Sequence, residues 1–495
     1  MTPALAGRIQ QILALDPAAP AMEFSREWFS WGQIADTAGI LAAEVLAGER
    51  VALLLRNRPH HVGLLIGLIS AGACVVTVNP GRGVERVRGD LAGLGVGTVA
   101  GALEDLESLA PGVGEVRWMS SEALGSVDVT PRVPDTATTF APGVAVEMLT
   151  SGTTGPPKRI PLTYETMWRV LAGAKHYESA KQVESAKQVE LRLRSGVAVI
   201  NAPLVHLGGL FRVLQCVADG RSFCLLEKFS VDQWVDAVRR HRPTTVSLVP
   251  TALRMILEAD LDREDLASVR SVISGTAPLS PEDADAFYTK YGVPVLVTYA
   301  ATEFGGGVAG WNLADHQDFW TAKRGSVGRA HAGCELRVVD PESGEPLSAD
   351  APGVLEVRAR QLGDDLAWNR TTDLARLDAD GFLWILGRAD QAIIRGGFKV
   401  LPDDVRVAIE RDPRVHSAAV VGVDDPRLGA VPVAAVELRA GAGAVTPEQL
   451  LADASKVLAR YELPTVLRIV AELPRTPSGK VDLSAVRELI AEEAE

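Results

Sequence analysis

The sequence predicts an α/β fold: a large N-terminal domain of parallel-type sheets that also carries an antiparallel β module, followed by a small α+β C-terminal domain. Three observations carry that prediction. Helix-like and strand-like segments alternate for most of the 495 residues, the pattern of sheets joined by crossover helices. After about Asp315 the texture changes, and Gly, Pro and Asp turns separate brief strands. It changes again at Gly387-Arg388-Ala389-Asp390, beyond which lie about 105 residues, enough for a small domain.

The elements follow in order. Glu49 and Arg50 precede Val51 to Leu55, a buried-strand run, and a helix follows from about Pro59. The stretch Val62 to Val78 is uncharged and close to the ~18 residues that suggest a membrane span. Its three glycines and its change from Leu/Ile-rich to β-branched near Cys74 predict a buried helix, a tight turn and a buried strand instead. Val197 to Ile200, Thr245 to Val249, Val272 to Ile273 and Val295 to Val297 read as short strands. Helical patterns at Val231 to Arg240 and Ser280 to Tyr291 separate them, the second opening on a Ser cap followed by Pro. The antiparallel module supplies Glu335 to Asp340, Gly353 to Ala359 and Gly381 to Leu386. The C-terminal part reads as a βαβ-like alternation: a helix at Val405 to Arg411, strands at Ser417 to Val423 and Val431 to Leu438, and a helix at Pro447 to Tyr461. Glu178 to Val183 (ESAKQV) repeats at once as Glu184 to Val189, which reads as a solvated helix extension and not as a solenoid.

Composition excludes several classes. Apolar residues at 47% and charged residues at 23% are ordinary for a soluble globular chain, so a wholly disordered, collagenous or coiled-coil protein is ruled out. A net charge of −13 without any long basic run opposes binding to phosphate backbones, so no nucleic-acid partner is expected. The cysteines Cys74, Cys216, Cys224 and Cys334 form no CxxC pair and read as buried thiols in a reducing compartment. Met1 to Leu15 has no long apolar core, so no signal peptide and a cytoplasmic location are expected.

The most informative segment is Leu149 to Thr163 (LTSGTTGPPKRIPLT). Thr150, Ser151, Gly152, Thr153, Thr154 and Gly155 offer backbone N–H groups and hydroxyls, and Lys158 closes the run with a cation. Those are the parts of a polyphosphate cradle. The pattern GxxxxGK[ST] is not met, which disfavours a P-loop NTPase.

Further motifs follow in a fixed order: Pro203-Leu204-Val205-His206, Ser274-Gly275-Thr276-Ala277-Pro278-Leu279, Tyr299-Ala300-Ala301-Thr302-Glu303, Thr371-Thr372-Asp373-Leu374-Ala375, Gly387-Arg388-Ala389-Asp390 and Pro474 to Lys480 (PRTPSGK). Taken singly, Asp373 reads as a turn residue, His206 as a core histidine, Glu303 as a helix-start carboxylate and Lys480 as solvated surface. As an ordered set covering essentially the whole chain, they resemble the adenylate-forming (ANL) superfamily of AMP-binding acyl-CoA synthetases, peptide-synthetase adenylation domains and luciferases.

That resemblance implies ATP, Mg²⁺ and, as cosubstrate, coenzyme A. It implies that Thr150 to Gly155 and Lys158 hold the phosphates, that Gly275, Thr276 and Ala277 form the adenine-side turn, and that Tyr299, next to Ala300, stacks on the base. Thr302 then donates to a phosphate, Glu303 holds the metal, Asp373 accepts from the ribose hydroxyls and Arg388 contacts the ribose or phosphate side. Lys480 bridges the carboxylate and the α-phosphate, and Lys399 assists the thiol step. His206, Gly208, Gly305 and Gly306 belong to the acyl pocket, and Arg395, Gly396 and Gly397 to the CoA side. The domains become an adenylation domain over 1–389 and a mobile lid over 390–495, with the hinge at Asp390. Two positions depart from the family pattern: Ala300 and Thr372 stand where glycine is usual. Each adds a small side chain and removes no chemical group.

The implied activity is an ATP-dependent carboxylic acid:CoA ligase acting on an aryl or medium-chain/fatty acid. The alternative is a free-standing adenylation enzyme that passes acyl-AMP to a carrier-protein thiol or an amine. Only fifteen residues follow Lys480, so no carrier domain is expected, and the last four, EEAE, are no peroxisomal address. Small residues at Leu207 to Leu210 and Gly305 to Gly307 suggest room for a ring or a medium chain. The expected partners are small molecules, with no membrane span; a homodimer is left open.

Overall fold

A computed structural model describes residues 2–132, 138–149, 159–173, 191–363, 367–395, 398–476 and 479–491. The chain forms two compact units. The first takes in most of the chain up to Cys334 and returns for a short stretch from Ala359; the second holds Glu335–Arg358 and the chain from Ala367 onward.

The first unit has three sheets. In the seven-stranded one, Arg117–Ser120, Thr98–Gly101, Arg50–Leu54, Cys74–Val78 and Val144–Leu149 run parallel in that order, and Asp128–Val129 and Arg159–Thr163 close the edges antiparallel. Continuous Val/Leu runs such as Val51 to Leu54 suit strands covered on both faces. The uncharged stretch becomes the helix Pro59–Ser70, a turn at Gly72 (φ +80°) and the strand Cys74–Val78, with helix and strand buried throughout. No described helix is long and apolar enough to cross a membrane. The four cysteines are free and buried, as their spacing predicts.

A four-stranded sheet orders Arg194–Ile200, Arg221–Leu225, Pro20–Phe24 and Glu27–Ser30, parallel except for the last hairpin. The third sheet places Thr245–Ser247, Ser271–Ser274 and Val295–Ala301 parallel, then adds Gly306–Gly310 and Arg329–Ala330 antiparallel. The Ser280 cap is present: its Oγ accepts from Asp283 N at 3.0 Å at the start of Pro281–Tyr291.

In the second unit, Gly353–Ala359, Asn369–Leu377 and Leu383–Arg388 pair antiparallel as expected, and Cys334–Val339 takes the edge beside Gly353–Ala359. Its last strand starts later than the sequence suggests, because Asp378 takes the preceding residues into a turn: Gly381 N donates to Asp378 O, and Phe382 N to Asp378 Oδ1 at 2.9 Å. Val339, Val354 and Leu374 share an apolar cluster with Leu386, Ala389 and Leu401. The module therefore groups with the C-terminal residues and not with the residues before Cys334.

The βαβ-like reading of the C-terminal part is corrected. Val415–Asp425 and Gly429–Leu438 form one antiparallel hairpin, flanked by Ile393–Arg395, Phe398–Val400 and a parallel strand, Val466–Val470. The helix expected to reach Tyr461 covers only Pro447–Ala454. Ser455 ends it, its hydroxyl donating to the Ala452 carbonyl at 2.7 Å and so competing with the helical ladder. The duplicated ESAKQV segment lies outside the described residues.

Candidate active site

Two features of the first unit sit at the ends of neighbouring parallel strands, the place where open α/β sheets bind ligands. Ser271–Ser274 runs into Gly275 and Thr276, and Val295–Ala301 runs into Thr302 and Glu303. A Cβ on Gly275 would lie 2.8 Å from Thr298 Cγ2 and 3.0 Å from the Thr298 carbonyl oxygen, so only glycine permits this approach. Thr276 follows with φ +70°, a left-handed conformation that a β-branched residue adopts only under strain. Ala277 continues the turn. The Ser274 hydroxyl just before it is buried and has no partner among the described residues.

Tyr299 is half-buried and Ala300 exposed, at a bulge opposite Gly307 and Ala309. Thr302–Phe304 make one 3₁₀ turn, closed where Gly305 (φ +69°) donates to the Thr302 carbonyl at 2.9 Å. Glu303 is exposed on that turn. Gly305 and Gly306 abut the helix Tyr164–Gly173: added Cβ atoms would lie 2.9 Å from Thr166 and 3.1 Å from Val170. Their smallness is thus spent on backbone packing.

His206 is the N-cap of the helix Leu207–Asp219. Gly208 is exposed with open space around it. Gly209 is buried, and a Cβ there would collide with the carbonyl oxygens of Pro203 and Ala202. Of this glycine pair, only Gly208 faces open space.

The second unit carries the remaining candidates. Asp373 pairs across the strands with Arg388. Its backbone N–H donates to Thr371 Oγ1, which in turn donates to the Leu355 carbonyl at 2.9 Å. Arg388 Nη2 donates to Thr372 Oγ1 at 2.7 Å. Arg395 Nη1 donates to the carbonyls of Tyr461 and Leu463, both at 2.9 Å, so part of its guanidinium braces its own domain. Phe398 stacks on Tyr461 beside it, with ring centroids 4.6 Å apart. Lys480 is exposed, and its carbonyl is gripped by Thr476, whose N–H donates at 2.7 Å and whose hydroxyl donates at 3.2 Å. Asp390 lies in a 3₁₀ turn, Ala389–Gln391, and Lys399 in the strand Phe398–Val400.

The phosphate-loop candidates Thr150, Ser151, Gly152, Thr153, Thr154, Gly155 and Lys158, like Gly396 and Gly397, lie outside the described residues. Their flanks are set in one sheet, with Leu149 opposite Arg159. Sequence reasoning missed two bracing residues, Asn57 and Gln361, and named Thr371 only as part of a motif, without its bond to Asp373. Asn57 ties the loop before His206, Gln361 Nε2 donates to the Phe304 carbonyl at 3.0 Å, and Thr371 supports Asp373.

The donor set fits a nucleotide and a hard cation. The Gly275 approach, the strained Thr276 and the orphaned Ser274 hydroxyl make a preformed turn, and Glu303 offers carboxylate oxygen of the kind Mg²⁺ prefers. A different trio, Glu23, Cys224 and His241, also brings possible metal-ligand atoms together. There Arg240 Nη1 lies 2.7 Å from Glu23 and already neutralises it.

The model of the AMP-binding enzyme family matches residues 9–364, and that of the AMP-binding enzyme C-terminal domain matches 407–480. The chain belongs to the AMP-binding enzyme family. Membership bears out the resemblance read from the motifs, and the ATP-dependent, AMP-forming ligase chemistry stands with it. The chain is 30% identical to indoleacetate–CoA ligase of Aromatoleum aromaticum, over 98% of this chain and 97% of that one. It is 28% identical to 4-coumarate–CoA ligase 5 of Oryza sativa subsp. japonica, over 90% and 85%. Among solved structures it is similar to the amide bond synthetase McbA from Marinactinospora thermotolerans, at 25% identity, a TM-score of 0.80 and coverage of 98% and 100%. The α/β fold with a large and a small domain accords with that match.

Proposed function

We propose that this AMP-binding enzyme is a carboxylic acid:CoA ligase acting on an aryl or medium-chain acid. A carboxylate oxygen attacks the α-phosphorus of ATP and pyrophosphate leaves, giving acyl-AMP. The CoA sulfur then attacks the acyl carbon, AMP leaves and the thiol proton passes to solvent. The observation that carries the reading is the chain-long likeness to an indoleacetate–CoA ligase.

The chain's own residues divide the work. Gly275, Thr276 and Tyr299 seat the adenine, and Asp373 accepts from the ribose hydroxyls with its two oxygens. Thr302 donates to the phosphate, and Arg388 adds a guanidinium on the ribose or phosphate side. Lys480 neutralises the two anions that must meet and stabilises the charge that develops at phosphorus. Glu303 would hold Mg²⁺, which would supply charge neutralisation on the phosphates. His206 and Gly208 border the acid. Asp390 serves as the hinge over which the lid exchanges Lys480 for the Arg395 to Lys399 segment.

The test is a pyrophosphate-release panel of aryl, short, medium and long-chain acids, with and without CoA. Release with aryl or medium-chain acids and CoA-dependent formation of the acyl-CoA support the reading; release with amino acids only overturns it. The likeness to an amide bond synthetase favours one second reading, an amine acceptor. Mass spectrometry of products formed with CoA and an amine supplied together separates the two.

A further inference from the structure

Asn57 lies between the strand Arg50–Leu54 and the helix Pro59–Ser70 and is 5% exposed. Its one carboxamide makes three hydrogen bonds. Nδ2 donates to the carbonyls of Ala202 and Leu226, both at 3.0 Å, and Oδ1 accepts from Leu204 N at 2.8 Å. An amide side chain offers two donors and an acceptor in one plane, which no other residue of this size supplies.

These bonds close a loop that has no regular structure of its own. Ala202 to Val205 connect Arg194–Ile200 to the helix that His206 caps. The strand end Leu226 is held in the same grip, and next to it Arg58 Nε donates to Glu227 at 3.0 Å. The loop also rests on Gly209, where any Cβ would press on the Ala202 and Pro203 carbonyls, and His206 N donates back to Pro203 O at 3.0 Å. Displacing the loop would strip partners from a half-buried carbonyl at 202 and a buried N–H at 204, an unfavourable change. The loop is thereby tied to the segment that leads into the buried helix Pro59–Ser70.

We propose that Asn57 is a positioning residue for the acid site: by holding the loop Ala202 to Val205 it sets where His206 stands, without touching substrate itself. The proposal rests on the reading of His206 as a residue of the acyl site. It assigns a role to a side chain outside the motifs quoted above.

The test uses the full chain in acid-dependent ATP–pyrophosphate exchange, with KM for acid and for ATP measured separately. Asn57→Ala is expected to raise the acid KM about tenfold and leave the ATP KM within about twofold, since small misplacements of a binding wall are felt strongly. Gly209→Ala, whose new Cβ presses on the Ala202 and Pro203 carbonyls of the same loop, is expected to give the same split. Leu91→Ala, in a separate apolar cluster, is the control for lost stability; it should lower the melting temperature and change neither KM. The proposal is overturned if both loop variants leave the acid KM unchanged, if they raise both KM values alike, or if Leu91→Ala reproduces the split. Should Asn57→Ala fail to fold, Gly209→Ala decides by the same criteria. A wild-type protein that adenylates no acid in the panel counts against the proposed function and not against this assignment.

Discussion

Arg388 and Thr372 are joined by a 2.7 Å hydrogen bond from guanidinium Nη2 to the threonine hydroxyl, one residue before Asp373. Glycine is usual at the Thr372 position in the adenylate-forming pattern, so the bond belongs to this chain's departure from it. A long, flexible side chain gains an anchor next to the carboxylate opposite which it sits. Thr372→Val keeps the branched shape and removes the acceptor. A single hydrogen bond contributes about 0.5–1.5 kcal/mol net, so the KM for ATP in pyrophosphate exchange should rise roughly two- to tenfold, with the melting temperature nearly unchanged. An unaltered ATP KM would show that the anchor does not matter to nucleotide binding.

Thr276 holds a backbone conformation, φ +70°, that costs a β-branched residue about 1–2 kcal/mol. Glycine relieves that strain and loses about 0.5–1 kcal/mol through the unfolded chain. Thr276→Gly should therefore leave stability in urea unchanged or raise it by up to about 1.5 kcal/mol. A clear loss of stability would contradict the strain argument. If the turn holds adenine as proposed, the same variant should bind ATP less tightly, since a preformed turn becomes a flexible one.

His61 is fully buried at the start of the helix Pro59–Ser70, and neither ring nitrogen has a partner among the described residues. Burial, with the neighbouring His60 ring as a smaller cause, holds its pKa down at about 2. In the unfolded chain it titrates near 6.5. The neutral ring is thus tolerated in the fold, and the stability associated with it is present above pH 6.5 and lost as pH falls toward 2. Each pH unit below 6.5 removes about 1.4 kcal/mol, so urea unfolding should lose about 2 kcal/mol between pH 8 and pH 5 from this residue. His61→Leu should flatten that part of the profile and leave stability at pH 8 the same or higher. A profile that His61→Leu leaves unchanged would remove His61 as its source.

The alternation of elements was legible because buried strands and capped helices carry local marks: Val51 to Leu54, the Gly72 turn and the Ser280 cap all appear where the residues place them. The C-terminal hairpin was not, because period-two runs look the same whether their partner is parallel or antiparallel, and only the Asp425 to Gly429 turn decides. The candidate site divides in the same way. Glu303, Asp373 and Lys480 are marked by motifs, whereas Asn57 and Gln361 act on carbonyls far away in the chain, and nothing near them in sequence reports it. Gly209 shows the converse: it reads as pocket room and proves to be a contact with the Pro203 backbone.

Proline at the proposed hinge separates the two half-reactions. Proline fixes φ near −65°, so Asp390→Pro should restrict lid rotation. Acyl-AMP formation, followed by pyrophosphate exchange, should be retained, while transfer of acyl-AMP to CoA slows by tenfold or more. Equal losses in both steps would argue against a hinge at this residue.

The account stands most directly on Lys480, whose backbone the Thr476 clasp fixes while its side chain remains exposed. The decisive measurement is single-turnover formation of acyl-AMP by Lys480→Ala, set beside CoA transfer from acyl-AMP supplied ready-made. Loss of one such electrostatic stabiliser should slow the first step by about 10²–10³ and leave the second within a few-fold of wild type. Adenylation at the wild-type rate in that variant would contradict the account.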